Sequence, residues 1–150
     1  MLSICQAVCC TFDNMSTKSS PIDSHWSDFS KNAKKHADKL TDLVKNQTKN
    51  HGKLVAYGAS ARSSTLLNYC GINFEHISMI IDKNPLKNGL LTAGSNIPIV
   101  SFEDGLKFIE ESEVILLLAW NFKNEIIKDL RASGYTGEFI IPLPGNSYIL

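Results

Sequence analysis

From Lys53 onward the chain repeats one pattern: a short, continuous apolar run followed by a helix-like stretch. The runs are LVAY, ISMIID, IPIV, VILLLAW and FIIP, separated by stretches such as Ala61 to Tyr69, Phe102 to Glu111 and Glu125 to Ser133. A strand with one wet face alternates apolar and polar residues, whereas these runs are apolar almost throughout, Ser78 and the closing Asp82 of ISMIID being the exceptions. Runs of this kind belong to a mainly parallel sheet covered by helices on both faces. The pattern therefore predicts a doubly wound α/β domain of about five strands between residues 53 and 142. Right-handed crossovers allow the order 3-2-1-4-5, with the chain changing direction between the first and fourth strands. Ligands of such sheets bind outside the carboxyl ends of the strands, beside that reversal.

A chain of 150 residues suits one domain with a closed core. Lys plus Arg and Asp plus Glu each number 15, so no net positive field draws the chain to a phosphate backbone, and nucleic acid is not an expected partner. The longest apolar runs fall well short of the ~20 residues that span a bilayer. A soluble, cytoplasmic protein without membrane association is expected. The opening MLSICQAVCCTF lacks the basic start and cleavage site of a secretory signal. Cys5, Cys9 and Cys10 cluster while Cys70 stands alone, matching neither a disulfide framework nor paired zinc knuckles, so no metal site is assigned.

Residues 1–24 read as a flexible leader, because the polar stretch from Thr11 to Ser24 buries too little apolar area to offset its ordering entropy; Met15 offers a second start. Residues 25–150 form the domain. Its first part, 25–50, carries Trp26, Phe29, Ala33, Ala37, Leu40 and Val44 at three- and four-residue steps, which predicts an amphipathic helix with Asp23 or Ser24 as N-cap.

The first strand runs into Tyr57-Gly58-Ala59-Ser60-Ala61-Arg62 and then directly into a helical pattern. Such a loop presents backbone N–H groups and a helix N-terminus to an anion, with the Ser60 hydroxyl and the Arg62 guanidinium available to the same phosphate. It also reads as a tight turn with no ligand, since serines stand where a dinucleotide fingerprint has its second and third glycines. Asp82 ends the second strand where a ribose-binding carboxylate stands in that plan, and it reads equally as a turn residue ahead of Asn84-Pro85. Lys87 reaches either a phosphate or solvent. Trp120 and Asn121, at the end of the fourth strand, offer a stacking ring and an amide to a ligand, or a core cap and a helix N-cap to the fold. No serine–histidine–aspartate order, metal-spaced histidine pair or close carboxylate pair appears in the folded part, and no catalytic residue is assigned.

In order and spacing, the segments YGASARSSTLLNYCGI, IIDKNPLKNG, TAGSNIPIV, LLLAWNF and FIIPLP resemble the C-terminal domain of the sugar C-methyltransferases, over roughly Trp26 to Pro144. The resemblance implies a Rossmann-like domain of an S-adenosylmethionine-dependent enzyme acting on nucleotide-linked deoxysugars. Family members combine a zinc-binding module, a central domain that holds the methyl donor, and this third part. The donor and the catalytic residues are expected in the central domain, so this chain should bind no cofactor and should not transfer methyl groups alone. It would position a nucleotide-linked sugar, of thymidine-diphosphate type, through Gly58, Ala59, Ser60, Arg62, Asp82, Lys87, Trp120 and Asn121. Two other roles remain in view: docking on a separate methyltransferase subunit through the 25–50 helix, and independent dinucleotide binding. Two departures from the family pattern stand out. Arg62-Ser63 replaces a lysine-glycine pair, which keeps the charge but makes close backbone approach harder, and Ala93 precedes Gly94 in place of a proline.

Overall fold

The computed structural model describes residues 21–150. Helix α1 (Pro21–His51) leads into β1 (Leu54–Tyr57), α2 (Ala61–Cys70), β2 (Ile77–Ile81), β3 (Ile99–Val100), α3 (Phe102–Glu111), β4 (Val114–Leu117), α4 (Lys123–Ala132), β5 (Glu138–Ile141) and β6 (Tyr148–Ile149). Single 3₁₀ turns occupy Pro85–Lys87 and Trp120–Phe122. The strands form one sheet in the order β3-β2-β1-β4-β5-β6. All pairings are parallel except β5 with β6.

The expected α/β class and the order of the first five strands are present, and β6 is an addition at the edge. Helix α1 begins earlier than expected, so Asp23 and Ser24 lie inside it and neither is its cap. Pro21 opens it, a position that costs no hydrogen bond because the first-turn N–H groups have no intrahelical partner. Of the expected leader, residues 21–24 are thus helical. The rest, with Met15 and the cysteine cluster, lies outside the described residues.

Side chains of a strand point alternately to its two faces. Leu54 and Ala56 of β1 therefore join Ile77, Ile80, Leu116 and Ile140 in one buried cluster, which Ala37, Leu40 and Val44 of α1 and Leu67 of α2 close. Val55 and Tyr57 turn the other way and join Ile81, Ile115, Leu117 and Phe139 beneath Ile109 of α3 and Ile126 and Leu130 of α4. Two buried faces favour apolar residues at nearly every strand position, which accounts for the long apolar runs; the exceptions are Ser78, whose hydroxyl donates to the Leu54 carbonyl at 3.1 Å, and Glu138, exposed at the start of β5. Tyr57 is in register with Ile81 on one side and Leu117 on the other, so β1, β2 and β4 end level. The loops that follow them meet at the reversal between β1 and β4. Among the described residues no helix is long and apolar enough to cross a membrane.

Candidate functional site

The loop after β1 is shaped by Gly58, whose φ of 97° lies where L side chains are strained. A Cβ there would stand 2.5 Å from the Ala119 Cβ, so the loop passes hard against the end of β4. Tyr57 carbonyl accepts from Leu118 N–H at 2.9 Å, locking the two strand ends together. Ser60 then caps α2. Its hydroxyl accepts from Ser63 N–H at 3.2 Å, while Ser63 Oγ accepts from Ser60 N–H at 2.6 Å, a reciprocal box built from two serines. The positions that depart from a glycine fingerprint thus have a structural use.

This arrangement settles which donors remain. Ala59 N–H is taken by Asp82 Oδ2 at 2.8 Å, and the Ser60 and Ser63 N–H groups by the capping box. The amides of Ala61 and Arg62, first in α2, have no partner among the described residues, and neither does the exposed Arg62 guanidinium. The positive end of a helix and an unpaired cation therefore coincide.

Asp82 is engaged within the chain. Besides the Ala59 amide, it accepts from Asn84 N–H at 2.8 Å through Oδ1 and from the Lys87 ammonium at 3.0 Å through Oδ2. Lys87 donates as well to the Ala59 carbonyl. The two side chains brace the Gly58–Ser60 loop from the β2 side, Asp82 largely buried and Lys87 about one-third exposed. Asp82 thus adopts the turn geometry that the sequence allowed and adds a long-range brace.

Two adjoining clefts flank the loop. The first, about 370 Å³, is lined by Ser60, Ala61, Arg62, Leu118 and the segment Ala119 to Phe122. Trp120 is partly exposed there and belongs to neither buried cluster. Asn121 lies in the 3₁₀ turn, and the residue at the N-cap of α4 is Phe122, with no side-chain cap bond. The capping reading of Asn121 is therefore corrected, and its exposed amide makes no side-chain hydrogen bond among the described residues. The second cleft, about 340 Å³, is lined by Gly58, Ala59, Asp82 and Lys87 together with residues that the sequence reading did not nominate: Tyr57, Lys83, Glu125 and Asp129 among them. Ser60, Ala119 and Phe122 border both clefts.

The second cleft is rich in charge. Lys83 and Asp129 form an ion pair at 2.8 Å, and that hydrogen bond raises the Lys83 pKa above its ordinary value. Burial pushes the Tyr57 phenol up, opposed by the nearby Lys83 charge. All eight residues expected from the sequence thus line one or other cleft. The signal for the others was weaker: Lys83 merely follows Asp82, and Glu125 and Asp129 sit one helical turn apart on α4, a spacing common on solvated helix faces.

Asp82, the carboxylate that stands after β2 where such a fold turns an acid to a ribose, already accepts from Ala59, Asn84 and Lys87. Among the described residues no cluster of three or more His, Cys, Asp or Glu side chains could hold a metal ion.

Comparison with known proteins adds the lineage. The chain is 41% identical over 97 residues to the C-methyltransferase NovU of Streptomyces niveus, an alignment covering 62% of this chain and 22% of that protein. The chain thus spans about a fifth of the curated relative that it matches. A crystal structure of UDP-D-quinovosamine 4-dehydrogenase from Vibrio fischeri aligns at a TM-score of 0.42 and 23% identity, over 59% of this chain and 76% of that one, too loosely to bear on fold or function. The family model for the C-methyltransferase C-terminal domain matches residues 16–144, and the chain belongs to that family.

Proposed function

We propose that this domain holds the nucleoside diphosphate of a nucleotide-linked deoxysugar at the carboxyl ends of β1 and β4, and so positions the sugar for C-methylation. The observation that carries the reading is the first cleft. Two free amides of α2 and the unpaired Arg62 guanidinium share it with the Trp120 ring and the Asn121 amide. The helix end and Arg62 suit a diphosphate, the ring suits a base or sugar face, and the amide suits a carbonyl or hydroxyl. Gly58, Ala59, Asp82 and Lys87 enter as the loop and its brace, which hold Ser60 and the start of α2 against the first cleft from the side of the second.

In the reaction that the family name implies, S-adenosylmethionine supplies the methyl group from a site outside these residues. A carbon that accepts a methyl group in this way would first be made nucleophilic by loss of a proton beside a carbonyl, and no residue of this chain is assigned as the base. This chain contributes orientation, since a substrate anchored through its diphosphate meets the donor with much of its translational freedom already lost.

Calorimetric titration with thymidine diphosphate and a thymidine-diphosphate deoxysugar tests the reading. The parent chain should bind both. Arg62→Ala should lose about 1.5–3 kcal/mol, the range for a hydrogen bond to a charged group, and Asn121→Ala about 0.5–1.5 kcal/mol. A folded parent that gives no heat at millimolar ligand rules out binding by the isolated domain.

One observation favours a second reading, docking on a separate methyltransferase subunit. Trp26 and Phe29 of α1 meet edge to face at 6.1 Å yet remain 66% and 64% exposed. Leu40, expected in the same stripe, is buried in the core and takes no part. The dinucleotide reading lacks such support, because Asp82 has its carboxylate engaged.

A further inference from the structure

The second cleft contains two polar groups that the fold does not use. Tyr57 is only 4% exposed, yet its hydroxyl has no hydrogen-bond partner among the described residues and is not one of the sealed, unpartnered polar atoms, so the oxygen opens onto the cleft that the residue lines. Tyr57 lines the cleft together with Lys83, Asp129, Asp82 and Glu125. Its ring is fixed by the edge of Phe102 at 6.3 Å between centroids, and the Lys83 ammonium lies 5.8 Å from the Phe102 ring.

The remaining charges divide into satisfied and free. Lys83 is paired with Asp129 and Lys87 with Asp82, whereas the Glu125 carboxylate has no partner among the described residues. Three carboxylates against two ammonium groups leave the cleft with one formal negative charge. The first cleft has the opposite character, with Arg62 as its charged lining residue and no carboxylate. A second phosphate is disfavoured beside Glu125, while a neutral group rich in hydroxyls can donate to the carboxylate and exchange a hydrogen bond with the phenol. The volume lies at the low end of the roughly 300–1,000 Å³ of ligand pockets, which suits one ring better than a dinucleotide.

We propose that the second cleft is a subsite for a hydroxylated ring of the ligand, bound through the Tyr57 hydroxyl and the Glu125 carboxylate while the diphosphate occupies the first cleft. The inference rests on the nucleotide reading above and adds the direction in which the ligand lies across the Ser60–Phe122 border. The ring is either the pentose of the nucleoside or the hexose beyond the diphosphate, and the two share the same hydroxyl chemistry.

The test is titration of the full chain and of its Tyr57→Phe, Glu125→Gln and Arg62→Ala variants with three probes: inorganic pyrophosphate, thymidine diphosphate and thymidine-diphosphate-glucose. Circular dichroism melting establishes that each variant is folded. Arg62→Ala should weaken all three probes by about tenfold or more. Tyr57→Phe and Glu125→Gln should leave pyrophosphate unchanged and weaken ring-bearing probes by about three- to tenfold. Weakening that begins with thymidine diphosphate places the pentose in the cleft; weakening confined to the glucose-bearing probe places the hexose there. Parent-like affinities of both variants for every probe overturn the subsite and leave the phosphate reading standing. Failure of the parent to bind any probe overturns both together.

Discussion

Gly58 carries two demands that no other residue meets. Its positive φ costs an L residue about 1–2 kcal/mol, and a Cβ at 2.5 Å from Ala119 adds an overpacking cost of about 1–3 kcal/mol. Gly58→Ala should therefore destabilise the chain by about 2–5 kcal/mol, read as a lower urea midpoint with an unchanged slope. A variant as stable as the parent would mean that the loop is free to move off β4. The glycine was legible in the sequence because a lone Gly between an apolar strand and a helix marks a tight turn. Its neighbours' tasks were not. A serine reads the same whether it offers its hydroxyl to a ligand or to an amide three residues on, and only the Ser60–Ser63 box separates the two uses. Asp82 was ambiguous for a related reason: its partner Ala59 is 23 residues away, and no local pattern records such a bond.

At the scale of elements, the first five strands were visible because burial on both faces leaves few polar interruptions, Ser78 of β2 and Glu138 of β5 among them. Strand β6 escaped because nothing forbids such interruptions there: Tyr148 and Ile149 are each 36% exposed, and their order comes from pairing with Ile141 and Ile140. Helix α1 shows the same contrast within one element. Its apolar periodicity runs from Trp26 to Val44, but periodicity does not say how much of a stripe is covered. Leu40 and Val44 are sealed in the core, whereas Trp26 and Phe29 remain open. Leu40→Ala should cost about 2–5 kcal/mol of unfolding free energy. Trp26→Ala and Phe29→Ala should stay within about 0.5 kcal/mol of the parent in the same denaturant titration. A large loss at Trp26 would show that the ring is covered in solution and would remove the observation behind the docking reading. Neutral substitutions that also abolish co-sedimentation with a purified S-adenosylmethionine-binding domain of the family would support it.

For the whole molecule, the question is how much chain the candidate site needs. Residues 34–150 form a compact unit of their own and contain every member of both buried clusters. Both clefts are lined only by residues between Tyr57 and Asp129. The proposed binding and the proposed docking thus draw on different parts of the sequence, and a truncation separates them. A chain begun at Lys34 should unfold cooperatively and bind thymidine diphosphate within about twofold of the full chain, since no cleft-lining group is removed. Ligand at about 100 times its dissociation constant should stabilise both forms by about 2.7 kcal/mol through mass action alone. Arg62→Ala should shrink that gain in both at a fixed ligand concentration. Loss of binding in a truncated chain that still melts cooperatively would mean that residues 1–33 contribute to ligand capture. The diphosphate would then have to be sought outside the β1–β4 crevice alone. Retained binding would confine ligand capture to the sheet ends and leave the exposed Trp26–Phe29 pair free for a partner.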